Sequence, residues 1–236
     1  MTELEPTEDA AALAIPELGD VKRRTAQEQV LESLRHAILG GVLSAGTPLV
    51  LSELSERLGV SRTPIREAIR ELAAEGLVDF DSYRSAVVHT PTVEEAEELY
   101  ELRLILEPLA VSKSVGKISD EQVEEASELQ REMVKVEDVG RWVELNREFH
   151  AKLIDAAESP RLNGIVAGLR NVSGMQVSLS LKASPDQLER SNREHEQIVQ
   201  AFRDRDADRA VELTKAHLRT TLEIIERYDA GEPAEG

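Results

Sequence analysis

The sequence predicts a mainly α-helical protein. It joins an N-terminal winged helix-turn-helix, made of three helices and a β-hairpin, to an all-helical bundle of about six helices. Apolar residues recur at helical spacing along most of the chain, which favours helices. Strand signals occur together on either side of residues 81–85, which favours one hairpin after the first three helices. The 236 residues and the 41% hydrophobic content fit two globular domains of ordinary size.

The chain divides into four segments by composition and pattern. Residues 1–20 carry six acidic and no basic side chains and show no periodicity, so they are predicted to form a mobile tail. The winged helix-turn-helix is expected over residues 21–90 and the helical domain over residues 92–229. Residues 230–236 are expected to be a second tail.

Three helices and a hairpin are predicted in the first domain. Gly40 and Gly59 end the first two helices, and Ser52 is predicted to cap the second. The predicted elements are helices at 26–39, 53–58 and about 61–75, and strands at 77–80 and 86–89. This order is typical of a winged helix-turn-helix. The alternative is a small helical domain with an incidental hairpin.

Capping signals divide the second domain. Thr92 with Glu95, and Ser119 with Gln122, match capping boxes, in which two residues cap each other's backbone. Four further cap signals are Asp138, Ser159–Pro160, Ser184–Pro185 and Asp206. The predicted helices lie near 93–115, 119–136, 139–157, 160–182, 186–203 and 207–228.

The third predicted helix has three chemically distinct sides. Arg62, Arg66 and Arg70 are four residues apart and therefore share one narrow arc. An adjoining arc is apolar, with Ile65, Ile69 and Leu72, and the remaining side is acidic, with Glu67, Glu71 and Glu75. Such a helix can dock on its own domain and present arginines to the phosphates and base edges of DNA. The alternative is a protein-interaction module, which would have no affinity for DNA even at low salt.

The charge distribution is compatible with a DNA partner. The net charge is −18, but residues 21–90 carry nine acidic and nine basic side chains and are neutral. Local charge matters most for phosphate contacts, because the Debye length in physiological salt is about 8 Å. We expect modest DNA affinity with a strong salt dependence.

The composition also indicates in which cellular compartment the protein is located. The chain has no cysteine, so disulfides and thiolate metal sites are excluded. No apolar run approaches the roughly 20 residues that span a bilayer, and the acidic N-terminus lacks the basic start of a signal peptide. These features predict a cytoplasmic protein without a membrane partner.

Three histidines of the second domain lie on three different predicted helices. They are His150, His195 and His217, and Asn146 precedes His150 by one helical turn. Facing helices of a bundle can converge three imidazoles and an oxygen donor on one divalent ion such as Zn²⁺ or Ni²⁺. The alternative is that the three histidines have unrelated roles.

Two further residues are candidates for binding a small acid. Arg103 lies among apolar residues of the first bundle helix and could grip a carboxylate with two parallel hydrogen bonds. It could equally be a surface residue or pair with Glu107 one turn away. Asn192 would share the helix face of His195, although such an asparagine is more often exposed to solvent.

These motifs together resemble the GntR family of bacterial transcription regulators, in its FadR branch with an FCD-type effector domain. Residues 61–68, which read Ser-Arg-Thr-Pro-Ile-Arg-Glu-Ala, look like the family's recognition-helix motif. Asn146-x-x-Phe149-His150, Glu194-His195 and His217-Leu218 look like its successive metal-binding signatures. The resemblance spans residues 25–228, and six bundle helices would indicate the shorter, VanR-like subtype.

The resemblance implies the following site residues. The operator would be read by Ser61, Arg62, Thr63, Arg66 and Arg70. The metal ligands would be Asn146, His150, His195 and His217, and Arg103 with Asn192 would hold a small carboxylate effector.

Two departures stand out: Asn146 occupies a position where the family commonly has aspartate, and the wing tip lacks the usual glycine. We expect Arg84 to reach DNA there instead; the alternative is a solvated loop charge.

The sequence therefore predicts a homodimeric, ligand-responsive transcription regulator that is not an enzyme. We expect a repressor that binds a palindromic operator and is released by a small organic acid. The alternative is a metal-dependent hydrolase in which the three-histidine site activates water.

Overall fold

A computed structural model of the chain describes residues 25–80, 85–184 and 186–231, and its fold class is the predicted one. The segment before residue 25, Arg84 and residues 232–236 lie outside the described residues. The first domain contains α1 (Ala26–Leu39), α2 (Leu51–Leu58), α3 (Arg62–Ala74), β1 (Val78–Phe80) and β2 (Ala86–Val88). The second contains α4 (Val93–Val115), α5 (Asp120–Met133), α6 (Val139–Ile154), α7 (Pro160–Val172), α8 (Gly174–Ala183), α9 (Gln187–Arg203) and α10 (Ala207–Asp229).

The three N-terminal helices pack around one apolar core. Ile65, Ile69 and Leu72 of α3 are buried, as their spacing predicts, and α1 packs against this side. The hairpin is antiparallel, with Val78 opposite Val88. The Ser52 cap was wrong: α2 begins at Leu51, because the Leu54 N–H already bonds to the Val50 carbonyl at 3.0 Å.

Most predicted caps of the bundle are confirmed. Thr92 and Ser119 each form a complete capping box, and Asp138 and Asp206 accept hydrogen bonds from the third residue of their helices. The long helices α4 and α10 pack along each other, and α5, α6 and α9 complete the core. The caps at Asp138 and Asp206 fix where the helices that carry His150 and His217 begin.

The predicted helix at 160–182 is two helices, so the described residues of the bundle form seven α-helices rather than six. The break lies at Ser173, whose hydroxyl donates to the Arg170 carbonyl at 3.0 Å and competes with regular helix bonding. Gly174 follows, and a Cβ there would lie 3.2 Å from Leu39 of α1. The helix count therefore gives no support for the VanR-like subtype.

Other boundaries also differ from their predictions: the helices expected to end near residues 136 and 157 end at Met133 and Ile154. The helix expected after Ser184–Pro185 begins at Gln187, with Asp186 as its N-cap. The reason is that the Gln187 N–H turns back to the Ser184 carbonyl at 3.1 Å, which forms a turn before the helix starts.

The end of α1 packs closely on the bundle. The Ser178 hydroxyl of α8 donates to the Leu39 carbonyl at 2.6 Å. A Cβ at Gly140 would lie 2.9 Å from the His36 carbonyl oxygen, so only glycine permits this approach of α6 to α1. His36 also lies 3.3 Å from the Asp138 carboxylate. The first domain is thus held against α6 and α8.

His89 joins the hairpin to the first turn of α4. Its Nδ1 lies 2.8 Å from Asp79 of β1, and its Nε2 lies 3.0 Å from Glu95 of α4. Burial lowers the pKa of His89, but the hydrogen bonds and charges of the two carboxylates outweigh burial and raise it above 6.5. The charged form of this histidine therefore bridges the two domains.

No helix among the residues that the structure describes is long and apolar enough to cross a membrane.

The bridge predicts a pH-dependent stability. A histidine whose pKa is raised by folding stabilises the folded state below its unfolded pKa of about 6.5, and this contribution is lost as the pH rises through the folded pKa. We expect His89→Gln to lower the melting temperature by about 2–4 °C at pH 6. By pH 9 the difference should vanish in thermal unfolding followed by circular dichroism. A difference of equal size at both pH values would contradict the bridge.

Candidate metal centre and nucleic-acid interface

The predicted DNA-reading residues lie on the solvent side of α3. Ser61, Arg62, Thr63, Arg66 and Arg70 are all exposed, while the opposite side of the helix is buried. Within the described residues Arg62 and Arg66 form no ion pair, whereas Arg70 donates to Glu67 at 2.8 Å. A groove between α3 and the hairpin is lined by the three arginines. The structure therefore brings together the predicted residues of α3 on one open surface.

The acidic side of α3 holds the helix on its own domain. Glu75 accepts two hydrogen bonds from Arg35 of α1, at 2.5 and 2.9 Å. Glu71 accepts one from Gln27 of α1 at 3.2 Å. These contacts direct the carboxylates of Glu71 and Glu75 toward α1 and leave the arginine side of α3 open.

The three histidines of the bundle converge. His150 of α6, His195 of α9 and His217 of α10 each offer one ring nitrogen, and these atoms lie within 4.8 Å of one another. All three side chains are nearly inaccessible, with relative exposures of 3%, 0% and 6%. The Nε2 atoms of His195 and His217 are 3.4 Å apart. Helices distant in sequence thus place three imidazoles around one point.

Several polar atoms in this region have no partner. Among the residues that the structure describes, His150 Nε2, His195 Nδ1 and Asn146 Oδ1 are buried and form no hydrogen bond. Buried polar atoms are usually satisfied, so each such atom needs an explanation. The donor set of three imidazoles and one amide oxygen fits a divalent ion that takes nitrogen and oxygen ligands.

Neighbouring groups orient the rings. Glu194 lies 2.6 Å from His217 Nδ1, which leaves Nε2 of that ring free to bind a metal. The ring of Trp142 stacks on His195 at 5.7 Å between centroids, and Phe149 touches both His150 and His195. This apolar wall limits the rotation of the imidazoles.

The environment keeps two of the imidazoles neutral. Burial lowers the pKa of His150 well below 6.5, and the positive charge of Arg170 adds to the effect. Burial likewise lowers the pKa of His195, helped by His217. A neutral imidazole is the form that binds metal, so no proton has to be displaced from these rings at neutral pH.

The predicted acid-binding arginine is part of a buried charge cluster. Arg103 Nε donates to Glu107 at 2.6 Å, which was the alternative considered for it, and its guanidinium lies over the Tyr100 ring at 4.5 Å. Arg170 of α7 donates to the other Glu107 oxygen. Arg103 Nη1 and Arg170 Nε have no hydrogen-bond partner in residues 25–80, 85–184 and 186–231. Arg103 therefore keeps a free donor although it is paired.

Asn192 is buried, rather than exposed to solvent, and is engaged by a neighbour. Its Oδ1 accepts a hydrogen bond from Trp142 Nε1 at 3.1 Å. Its backbone carbonyl accepts another from Gln130 at 3.4 Å. The contacts of Asn192 thus hold the tryptophan that stacks on His195.

A cleft between the two domains reaches this region. On the bundle side it is lined by Arg103, Asn146 and Arg170, and on the side of the first domain by Leu39 and Leu77. The free space between these side chains is about 20 Å³, so a bound molecule larger than water would have to push the two domains apart.

Sequence reasoning missed two of these residues. Glu194 is named in the Glu194-His195 signature, but that signature does not predict its contact with His217 on another helix. Arg170 carried no local signal, because its partner Glu107 is 63 residues away. A pattern within one helix cannot reveal either contact.

Comparison with protein families gives two matches along the chain. Residues 26–88 match the model described as bacterial regulatory proteins, gntR family. Residues 98–220, more than half of the chain, match the FCD domain. The three histidines and the arginine helix fall within these ranges.

Individual proteins are similar over most of their length. The gluconate operon transcriptional repressor of Bacillus subtilis (strain 168) is 28% identical over 196 residues, which cover 80% of this chain and 79% of that protein. The probable D-xylose utilization operon transcriptional repressor of Paenarthrobacter nicotinovorans is 27% identical over 213 residues, 89% of this chain and 92% of that protein. Among solved structures, E. coli McbR/YncC superposes with a TM-score of 0.72 at 21% identity, covering 87% of this chain and 99% of that one, and shows the same fold.

Proposed function

Because the chain belongs to the gntR family of bacterial regulatory proteins, with the FCD domain of its FadR-like branch, we propose that it is a repressor released by a small organic acid bound at a metal site. The family is one of DNA-binding transcription regulators rather than enzymes. The observation that carries the proposal is the cleft in which Arg103 and Asn146 face the DNA-reading domain. The proposal assigns DNA binding to residues 21–90 and effector binding to residues 92–229.

The exposed side of α3 supports the DNA-binding part. Arg62 and Arg66 are exposed and unpaired within the described residues, and arginine is the natural partner of guanine O6 and N7 in the major groove. Two such helices related by a two-fold axis would read a palindrome. A partner of this kind also implies a cytoplasmic location, where bacterial DNA lies.

The metal part rests on the three histidines and on Asn146. The buried nitrogens of these rings and the amide oxygen of Asn146 would hold one divalent ion, with zinc or nickel most suited to this donor set. Such an ion supplies a Lewis acid whose open coordination positions can bind an oxygen of the effector.

The effector part rests on the charge of the cleft. Arg103 Nη1 has a free donor for a carboxylate, and Asn192 would contribute its amide N–H, since its Oδ1 is taken by Trp142. The named relatives repress operons of sugar and sugar-acid utilisation, which agrees with a small polar metabolite as the signal.

An exposed apolar stripe on α4 supports the homodimer. Leu102, Ile105 and Leu109 share one side of this helix and are 43%, 62% and 46% exposed. Ile165 of the adjacent helix α7 is also half exposed. Contiguous apolar surface of this kind usually marks an interface, and a second copy of the chain is the occupant that a palindromic operator requires.

The hydrolase alternative has less support. The family and the named relatives are transcription regulators, and Glu194, the nearest candidate base, is hydrogen-bonded to His217. The protein-interaction alternative for the first domain is disfavoured by the same family match.

The DNA-binding assignment predicts a large effect of one side chain. Loss of a bidentate base contact costs about 1–3 kcal/mol, or about 5- to 150-fold in affinity. We expect Arg66→Ala to weaken operator binding to this extent in fluorescence anisotropy at moderate salt. The control is Arg193→Ala, an exposed arginine of α9 that should leave affinity unchanged. Equal affinity of Arg66→Ala and the wild type would show that the groove assignment is wrong.

The metal assignment predicts about one divalent ion per chain in unchelated protein, measured by elemental analysis after purification. His195→Ala should lose most of it, because it removes one of three imidazole ligands. His36→Ala, which alters a partly exposed histidine of α1, is the matched control and should keep the ion. If the unchelated wild type contains no metal, the metal part of the proposal is wrong, while the DNA-binding part is unaffected.

The dimer assignment predicts that a charge on the α4 stripe separates the copies. Ile105→Lys would bury an unpaired ammonium at the interface, so the variant should sediment as a monomer at micromolar concentration. Val42→Lys, which charges an exposed apolar residue of the first domain, should remain dimeric. If the Ile105→Lys variant remains dimeric, the dimer interface lies elsewhere on the protein.

A further inference from the structure

A groove beside α3 combines positive charge with exposed apolar surface. It lies between α3, the start of α2 and the hairpin, and its free space is about 580 Å³. The lining includes Val50 and Phe80 together with Arg62, Arg66 and Arg70. Val50 is 39% and Phe80 is 51% exposed, so apolar side chains face water close to the guanidiniums. This surface is called the arginine groove below.

The guanidiniums of the arginine groove are available for a partner. Among the residues that the structure describes, Arg62 and Arg66 form no ion pair, and Arg70 pairs with Glu67 at 2.8 Å. Ion pairs between exposed side chains are weak, so Arg70 can exchange Glu67 for another anion. The groove can therefore accept an acidic chain segment as well as the phosphates of DNA.

The sequence that precedes α1 has a complementary pattern. Residues 1–20, called the acidic segment below, contain six acidic side chains and no lysine or arginine. An apolar run at residues 10–15, which reads Ala-Ala-Ala-Leu-Ala-Ile, lies between Glu8–Asp9 and Glu17. Carboxylates on both sides of an apolar run match a groove in which guanidiniums adjoin exposed apolar side chains.

The acidic segment joins the first domain next to α3. Helix α1 begins at Ala26, and the Gln27 side chain donates a hydrogen bond to Glu71 of α3 at 3.2 Å. A helix with its side chains is about 10–12 Å wide, whereas residues 16–24 span about 30 Å when they are extended. The apolar run can therefore reach the arginine groove of the same chain.

We propose that the acidic segment binds the arginine groove and competes with DNA for it. The inference rests on the proposed function, because the groove is the surface that is assigned there to DNA. Leu13 and Ile15 would pack on the exposed apolar side chains of the groove, and the carboxylates on either side would pair with the guanidiniums.

The covalent link makes even a weak contact effective. A segment joined to its site by a short linker has an effective concentration in the millimolar range. A contact with a millimolar dissociation constant would therefore be about half formed. DNA binds only the chains in which the groove is open, so its apparent affinity falls in proportion to the open fraction.

The first experiment locates the acidic segment in the whole chain. The chain has no cysteine, so Ala12→Cys introduces the only thiol, to which a benzophenone photo-crosslinker is attached. Illumination should join it mainly to residues 48–52, 62–70 or 78–80, as identified by peptide mass spectrometry. An excess of a 30-base-pair DNA duplex at low salt should suppress these products. Products spread over the whole surface, or products that the duplex does not suppress, would overturn the proposal.

Two charge reversals test the role of the guanidiniums. Arg66→Glu should abolish the crosslinks to the arginine groove, because it places a carboxylate opposite the acidic segment. Arg193→Glu, the matched control, reverses the charge of an exposed arginine of α9 and should keep them. Crosslinks of wild-type yield in Arg66→Glu would contradict the inference.

The second experiment separates docking from simple charge repulsion between the acidic segment and DNA. Leu13→Ser combined with Ile15→Ser keeps every charge but removes the apolar contacts. Docking predicts that this double variant binds the same duplex about two- to tenfold more tightly than the wild type in fluorescence anisotropy. Repulsion alone predicts no change, and an unchanged affinity would show that the inference is wrong. The control is Val134→Ser, which alters an exposed apolar residue of the helical domain and should bind like the wild type.

The inference and the proposed function can fail separately. If Arg66→Ala weakens DNA binding while the acidic segment forms no crosslinks to the groove, α3 binds DNA and the inference is wrong. If the crosslinks form but Arg66→Ala binds DNA like the wild type, the assignment of the groove to DNA fails, and the competition fails with it.

Discussion

The burial of unpaired polar groups inside the helical bundle is the constraint on which the rest of the structure depends. Three imidazoles, two guanidiniums and one carboxylate are withdrawn from water by helices α4, α6, α7, α9 and α10. Burial without full pairing costs free energy, which the apolar core around these groups has to offset. The same burial keeps His150 and His195 neutral and leaves donors free. Under the proposed function, a cation and an anion that complete these groups would stabilise the domain, which is the property a ligand sensor needs.

The position of this interior explains how it could act on DNA. Helix α6 carries His150 and begins against α1, where Gly140 permits contact with the backbone of His36. The cleft that contains the arginines is closed on its other side by Leu39 and Leu77 of the DNA-reading domain. Under the proposed function, an acid in the cleft would favour one placement of that domain over others. The acid can change the free-energy difference between two placements of the domain by no more than the difference between its binding free energies for them.

Local patterns predicted much of the fold, and longer contacts explain what they missed. The arginine, apolar and acidic sides of α3 and the capping boxes at Thr92 and Ser119 follow from spacing within one helix, and the structure has them where expected. The break at Ser173 is followed by Gly174, which lies close to Leu39 of the first domain, a contact that no pattern within the segment indicates. Likewise, the convergence of the histidines could be suggested by their placement on separate helices, but the pairing of Arg170 with Glu107 and of Glu194 with His217 depends on helix packing. No single segment contains that information.

The central claim is that the cleft and the DNA-reading helix are thermodynamically coupled. It is tested most directly by measuring the affinity of the best-binding acid for metal-loaded protein, once free and once saturated with operator DNA. Coupling free energies between sites are typically about 1–3 kcal/mol, so the account predicts that DNA weakens acid binding about 5- to 150-fold. The acid must weaken DNA binding by the same factor, because coupling between two binding equilibria is reciprocal. Identical acid affinities with and without DNA would contradict it.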